Sequence, residues 1–133
     1  MKLRIVLADD NPGALQMLVG ILDDTVDIVA TAADGNSALR SICEFKPDVA
    51  VLDLEMPGLT GIEITKALME QCPGVAVVIC SVHRDSQLIQ AALEAGALGY
   101  VFKPDCARSL VHAVKAVARR LTFLPTSNIS GER

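Results

Sequence analysis

The chain has 133 residues, of which 51% are hydrophobic and 21% are charged, so it can form one domain with a full core. Its net charge of −4 argues against direct binding of nucleic acid by this segment. No apolar run approaches the roughly 20 residues that cross a bilayer, and no signal peptide is evident. We therefore expect a cytoplasmic protein without membrane contact.

Strand and helix patterns alternate along the chain. Five short apolar runs without strict alternation predict strands that are covered on both faces. Residues at helical spacing follow each run, and Asn11 and Pro12 form a strong helix start. Continuous apolar strands with short connections predict a parallel sheet with helices on both faces. The predicted strands lie at residues 3–8, 26–33, 49–53, 75–80 and 98–102.

The third predicted strand ends on a carboxylate, Asp53. Pro57 and Gly58 then impose a turn. Thr60 and Glu63 have the spacing of a capping box, in which each side chain accepts a hydrogen bond from the other residue's backbone N–H. The pattern predicts one acid at the tip of a buried strand, followed by a rigid loop.

The last helical pattern runs to Leu121, and the chain then changes character. Residues 122–133 carry Pro125 and Gly131 together with several small polar residues. We therefore predict one domain over residues 1–121 and a linker or disordered tail over residues 122–133.

Four cysteines occur without C-x-x-C spacing and without paired histidines. This distribution predicts small buried side chains or free thiols rather than a metal site or disulfides. These cysteines are Cys43, Cys72, Cys80 and Cys106.

Polar side chains stand at the ends of four of the five strands. Asp9 and Asp10 follow the first, Asp53 ends the third, Ser81 follows the fourth and Lys103 follows the fifth. In an open parallel sheet, ligands bind outside the carboxyl ends of the strands, so we expect these groups to converge. Each alone has an ordinary structural interpretation, as a helix cap, a loop hydroxyl or a solvated lysine, but together they indicate a site.

This combination fits phosphoryl chemistry. Three clustered carboxylates without an obvious cationic partner repel one another, and a bound Mg²⁺ relieves that cost. A carboxylate can also attack phosphorus to give an aspartyl-phosphate. The transferred group then needs positive charge around its oxygens, from Mg²⁺ and Lys103, while Ser81 can donate a hydrogen bond.

From Lys2 to Arg120 the chain resembles a response-regulator receiver domain of two-component signalling. The resemblance implies a flavodoxin-like three-layer α/β sandwich with strand order 2-1-3-4-5 and five helices. It also implies a histidine kinase as phosphoryl donor. The matching motifs are Leu7-Ala8-Asp9-Asp10-Asn11, Asp53-Leu54-Glu55-Met56-Pro57-Gly58, Ser81 and Lys103-Pro104.

The resemblance implies a role for each acid. Asp53 would be the phosphoacceptor. Asp10, Asp53 and the backbone carbonyl of Glu55 would bind Mg²⁺ directly, and Asp9 would hold the ion largely through water. Lys103 would pair with the phosphate.

It also implies a switch in which Ser81 and the aromatic Tyr100 move after phosphorylation. The Lys103–Pro104 bond would be cis. Glu55 and His83 occupy positions that vary in the family and tune the phosphoryl lifetime. Tyr100 could equally be a half-buried strand residue, and Glu55 and His83 solvated loop residues.

Residues 118–130 resemble the junction in regulators whose receiver precedes a LuxR/NarL-type helix-turn-helix. This implies transcriptional output, with DNA contacted only through a C-terminal domain absent from this segment, and possible homodimers. A stand-alone receiver that acts by protein contact is the competing interpretation. An aspartate-nucleophile phosphatase would place its nucleophile on the first strand, with a second Asp two residues later, which this chain lacks.

Overall fold

A computed structural model describes residues 2–125. It contains five strands and five helices in strict alternation, with a 3-10 turn over Lys103–Asp105 before the last helix. In chain order they are β1 (Arg4–Ala8), α1 (Pro12–Leu22), β2 (Asp27–Ala32), α2 (Gly35–Phe45), β3 (Val49–Asp53), α3 (Gly61–Gln71), β4 (Ala76–Ser81), α4 (Ser86–Ala95), β5 (Gly99–Phe102) and α5 (Cys106–Ala118). No helix of the described segment is long and apolar enough to span a membrane.

The strands form one parallel sheet in the order β2-β1-β3-β4-β5. The predicted fold class and strand order are therefore confirmed. The chain runs from β1 outward to β2, then crosses to β3 on the other side of β1 and continues outward to β4 and β5, so the strand order reverses between β1 and β3. A crevice forms at the carboxyl ends of these two strands, as it does in other doubly wound sheets.

Both faces of the sheet carry a hydrophobic core, which explains the strands' lack of alternation. On β3, Ala50 and Leu52 pack on the side of α2, α3 and α4, whereas Val49 and Val51 pack on the side of α1 and α5. All four are fully buried. Successive strand residues point to opposite faces, so a strand buried on both faces must be apolar at every position.

Two predicted helix starts have the expected hydrogen bonds. The Asn11 side chain accepts from the N–H of Ala14 at 2.9 Å. The capping box of α3 is complete, since Thr60 Oγ1 accepts from Glu63 N at 3.1 Å and Glu63 Oε1 accepts from Thr60 N at 2.9 Å. These bonds satisfy backbone donors that a helix leaves unpaired.

One local expectation is wrong: the Lys103–Pro104 bond is trans, and these residues enter a 3-10 turn with proline in its first turn. Asp85 is the N-cap residue of α4, although its side chain makes no capping hydrogen bond. Phe45, at the end of α2, is 38% exposed.

The predicted tail begins on the sheet itself. Phe123 lies parallel to the outer edge of β5, where its N–H donates to Leu98 O and its carbonyl accepts from Tyr100 N, both at 2.9 Å. Its side chain also packs against the core on the α1 and α5 face. Residues 126–133 lie outside the described part of the chain.

A chain that ends at Leu121 should unfold at a lower temperature than one that ends at Pro125, by about 3 to 8 °C. The shorter chain loses two edge hydrogen bonds and the packing of Phe123. Thermal unfolding followed by circular dichroism measures the difference. Phe123→Ala in the longer chain should fall between the two, because its backbone bonds remain, and equal midpoints for all three would contradict the pairing.

Candidate functional site

Three acids meet at the carboxyl ends of β1 and β3. Ala8 pairs with Leu52 in the sheet, so the residues that follow, Asp9 and Asp53, lie side by side. Together with Asp10 they offer carboxylate oxygens that all lie within 4.8 Å of one another. Asp9 is buried, Asp53 is partly exposed and Asp10 is exposed, so the cluster opens to solvent on one side.

Lys103 lies between two of these acids. Its Nζ is 2.9 Å from Asp9 Oδ2 and 3.4 Å from Asp53 Oδ2. The carboxylates, which have no obvious cationic partner in the sequence, therefore have the ammonium of the fifth strand end beside two of them. Lys103 follows β5, which is two strands away from β3, so its long side chain must cross the end of β4 to reach them.

The single positive charge of Lys103 does not balance three carboxylates. The pKa values of Asp53 and Lys103 are both shifted in this environment. Burial, followed by the charge of Asp9, raises the pKa of Asp53, although Lys103 opposes both effects. Burial alone would lower the pKa of Lys103, but hydrogen bonding to Asp9 and the charge of Asp53 outweigh it and raise that pKa. Lys103 is thus held protonated, while Asp53 resists ionisation.

The acid cluster fits a hard divalent cation. Asp9 Oδ1 accepts the backbone N–H of Asn11 at 2.9 Å, whereas the buried Asp9 Oδ2 faces the Lys103 ammonium at 2.9 Å. Carboxylate oxygens are the ligands that Mg²⁺ prefers, and the excess negative charge gives such an ion a favourable electrostatic environment.

The backbone around Asp53 is fixed by close packing at Gly61. A β-carbon at this position would collide with the Asp53 carbonyl oxygen, so the start of α3 can approach β3 only because residue 61 is glycine. The Gly61 N–H donates to Leu54 O at 2.9 Å. From the other side, the Gly35 N–H donates to Pro57 O at 2.8 Å. The predicted rigid loop is tied down at both ends.

Ser81, His83 and Tyr100 form a connected group beside the acids. Ser81 Oγ accepts the backbone N–H of His83 at 3.0 Å, and the Tyr100 hydroxyl donates to His83 O at 3.0 Å. Tyr100 is fully buried rather than half-buried, and burial raises its pKa. The hydroxyl of Tyr100 is therefore hydrogen-bonded directly to the loop that follows β4.

The two predicted tuning residues touch each other. His83 Nε2 lies 3.2 Å from Glu55 Oε1, and Glu55 is the more exposed of the two side chains. His83 Nε2 has no hydrogen-bond partner within residues 2–125, so the contact is a loose pairing of a histidine with a carboxylate. It connects the loop after β3 to the loop after β4.

Sequence reasoning missed Arg84. Its guanidinium carbon lies 4.2 Å from the centroid of the Phe102 ring, a cation–π arrangement. This contact joins the loop after β4 to the end of β5. No local pattern predicts it, because it depends on where the two strand ends meet.

The fold and the site define a class, a doubly wound α/β domain with clustered aspartates, a hydroxyl and a lysine at its switch point. Residues 5–115 match the family described as response regulator receiver domain. The chain belongs to this family.

A solved structure of a LuxR-family two-component response regulator from Aurantimonas sp. SI85-9A1 has a TM-score of 0.92 at 32% identity, over 100% of this chain and 99% of that one. The transcriptional regulatory protein DegU of Brevibacillus brevis is 34% identical over 122 residues, covering 89% of this chain and 51% of the relative. A protein-glutamate methylesterase/protein-glutamine glutaminase of Sulfurimonas denitrificans is 35% identical over 130 residues, covering 89% and 37%. The chain spans about half or less of these two curated relatives.

Asp53→Asn should raise the midpoint of thermal unfolding by about 2 to 4 °C at pH 7 without divalent cations. The folded-state pKa of Asp53 lies above its unfolded value, so the ionised acid destabilises the fold at neutral pH. This penalty disappears as the pH falls below the unfolded value of about 3.9.

Differential scanning fluorimetry between pH 7 and pH 3.5 measures the effect. The gain should shrink on acidification, and Mg²⁺ should stabilise the wild type more than the variant. Asp24→Asn, an exposed acid on the loop after α1, is the matched control and should change nothing. A loss of stability in Asp53→Asn at pH 7 would show that its pairing with Lys103 outweighs the repulsion.

Proposed function

We propose that Asp53 accepts a phosphoryl group from a histidine kinase in a Mg²⁺-dependent reaction, and that this modification switches an output. The observation that carries the proposal is the convergence of Asp9, Asp10 and Asp53 on Lys103 at the switch point of the sheet. Receiver domains are, as a family, regulators phosphorylated by histidine kinases that bind Mg²⁺ at an acidic pocket.

Asp53 is the nucleophile in this proposal. One of its carboxylate oxygens bonds to phosphorus as the bond to the kinase's histidine nitrogen breaks, and that nitrogen keeps the electron pair. The side chain of Asp53 is 12% exposed, enough to meet a donor from solvent, and its backbone is fixed by the packing at Gly61.

The charge that develops on the phosphoryl oxygens is met by groups already in place. Lys103 has a raised pKa and can turn from Asp53 to the incoming group without changing its protonation. Ser81 Oγ accepts a backbone hydrogen bond, so its own proton is free to be donated. Asp9, Asp10, Asp53 and the carbonyl of Glu55 would hold Mg²⁺, which supplies further positive charge.

The effect of phosphorylation would be transmitted from the site to the rest of the domain through the backbone of His83. Ser81 and Tyr100 both bond to the backbone of this residue. A shift of Ser81 toward a phosphoryl oxygen would therefore move the carbonyl that holds the Tyr100 hydroxyl. That would alter the face formed by α4, β5 and α5, through a two-state element biased by one new dianionic group.

The output we propose is transcription, through a C-terminal helix-turn-helix domain outside this segment and with a homodimer as the active form. The support is the similarity of this chain to a LuxR-family response regulator and to the transcriptional regulatory protein DegU. The methylesterase among the relatives indicates that similar receiver segments occur in enzymes as well. A stand-alone receiver that acts by protein contact remains the alternative output.

Incubation with Mg²⁺ and acetyl phosphate should add one phosphoryl group per chain, measured by intact mass. Asp53→Asn should abolish the gain, because it removes the nucleophile, and Lys103→Ala should slow it by about 10- to 100-fold, because it removes the cation. Asp24→Asn should react as the wild type does. Absence of a Mg²⁺-dependent gain would contradict the proposal, and steady hydrolysis of unrelated phosphate esters would indicate a phosphatase.

His83→Ala and Glu55→Ala should each change the rate constant of autodephosphorylation by about three- to tenfold. Both residues lie on the loops that follow Asp53 and Ser81, two positions beyond the proposed acceptor and the switch hydroxyl. Decay of the phosphorylated chain, followed by intact mass, measures the rate. Because the two side chains touch, the effect of Glu55→Ala should be smaller in a His83→Ala background.

Gln87→Ala, on the exposed part of α4, is the control for substitutions in this region. Its decay rate and that of the wild type should agree. Unchanged decay in both His83→Ala and Glu55→Ala would reject the tuning role.

A further inference from the structure

Two thiols from distant parts of the chain meet at the amino-terminal edge of the sheet, away from the acid cluster. Cys43 lies in the last turns of α2, and Cys72 directly follows α3. Their sulfurs are 3.5 Å apart, with the Cys72 thiol donating to Cys43. The Cys43 thiol in turn lies 3.6 Å from Oε1 of Gln71. Both cysteines are partly exposed.

A cavity opens beside Cys72, one member of this pair. It has a volume of about 380 Å³, and Cys72 lines it together with Lys46, Gln71 and Gly74. A small oxidant can therefore reach the Cys72 sulfur without unfolding of the domain.

We propose that Cys43 and Cys72 form a redox modification site, which a hydroperoxide converts to an intramolecular disulfide. The inference does not depend on the proposed phosphoryl chemistry, because the pair lies at the other end of β3 and shares no residue with the acid cluster.

The reaction needs one equivalent of hydrogen peroxide. A Cys72 thiolate attacks one peroxide oxygen, the O–O bond breaks, and the products are a sulfenic acid and, after protonation, water. The Cys43 thiolate then attacks the oxidised sulfur, an S–S bond forms, and the sulfenic oxygen leaves as a second water. Two thiols are oxidised by two electrons, and one peroxide is reduced to two waters.

The order of attack follows from the environments. Burial, followed by the neighbouring Cys72 thiol, raises the pKa of Cys43, so the first attack comes from Cys72, which also lines the cavity. Closing the sulfur–sulfur distance to about 2.05 Å requires a small local movement. The backbone of Cys72 lies outside the helical geometry of α3, so the movement does not have to break a helical turn.

A second cysteine pair provides an internal comparison. Cys80 and Cys106 have sulfurs only 2.8 Å apart, but both residues are fully buried between β4 and α5. Cys80 also has a pKa far above its ordinary value, with the Cys106 thiol and burial as the causes. If proximity decided the chemistry, this pair would oxidise first. Access to solvent favours Cys43 and Cys72.

The crosslink would close a loop that contains all of β3 and the loop after it. Closing a loop of this size restricts the unfolded chain and should raise the unfolding midpoint by about 5 to 10 °C. Asp53 lies at the far end of β3, so its chemistry should be unaffected. The modification would stabilise the domain under peroxide stress without altering its phosphoryl transfer.

The test treats the protein with hydrogen peroxide, then denatures and alkylates it with N-ethylmaleimide, and counts reactive thiols by intact mass. The wild type should fall from four thiols to two, with a mass loss of two hydrogens before alkylation. Cys80→Ala/Cys106→Ala should fall from two thiols to none, because only the proposed pair remains. The oxidised wild type should unfold at the higher temperature, and dithiothreitol should reverse the shift.

Cys43→Ser and Cys72→Ser are the matched controls, and neither should form a disulfide or gain thermal stability. Disulfide formation in Cys43→Ser/Cys72→Ser under the same treatment would overturn the assignment in favour of the buried pair. Dimers linked by disulfides on a non-reducing gel, or a mass gain of oxygen atoms without loss of the thiol pair, would also overturn it.

Discussion

The structure depends on one electrostatic constraint: three carboxylates share a crevice with a single ammonium. Lys103 contacts Asp9 and Asp53, and its charge cannot neutralise them and Asp10 together. Burial, together with the remaining negative charge, raises the pKa of Asp53, and that charge gives a divalent cation a favourable environment. The protonation of Asp53 and the fit of the site to a divalent cation therefore share one local charge imbalance.

Most of the fold follows from the sequence, because its signals are local. The unbroken apolar run of β3 predicts burial on both faces, and the Thr60 capping box marks the start of α3. What could not be predicted depends on contacts between distant segments. The trans Lys103–Pro104 bond and the pairing of Phe123 with β5 belong to this class, since both depend on where the end of the sheet lies.

The candidate site likewise has features that the sequence predicts and features that it does not. Strand ends in a parallel sheet meet at one edge, so the sequence alone brings Asp9, Asp10 and Asp53 together. The contacts of Lys103 with two of these acids and the full burial of Tyr100 could not be predicted, because a side chain's direction depends on its rotamer and neighbours. The meeting of Cys43 and Cys72, 29 positions apart, had no signal in their spacing.

The Phe123 segment also limits how this sheet can grow. An exposed edge strand invites another chain to add a strand to it, but at Leu98 and Tyr100 the backbone groups of β5 are already taken by the chain itself. A second molecule that approaches this side must be recognised through side chains rather than through a backbone ladder. Association at this edge can therefore be specific to partners with complementary surfaces, and the open-ended addition of strands from other molecules is suppressed.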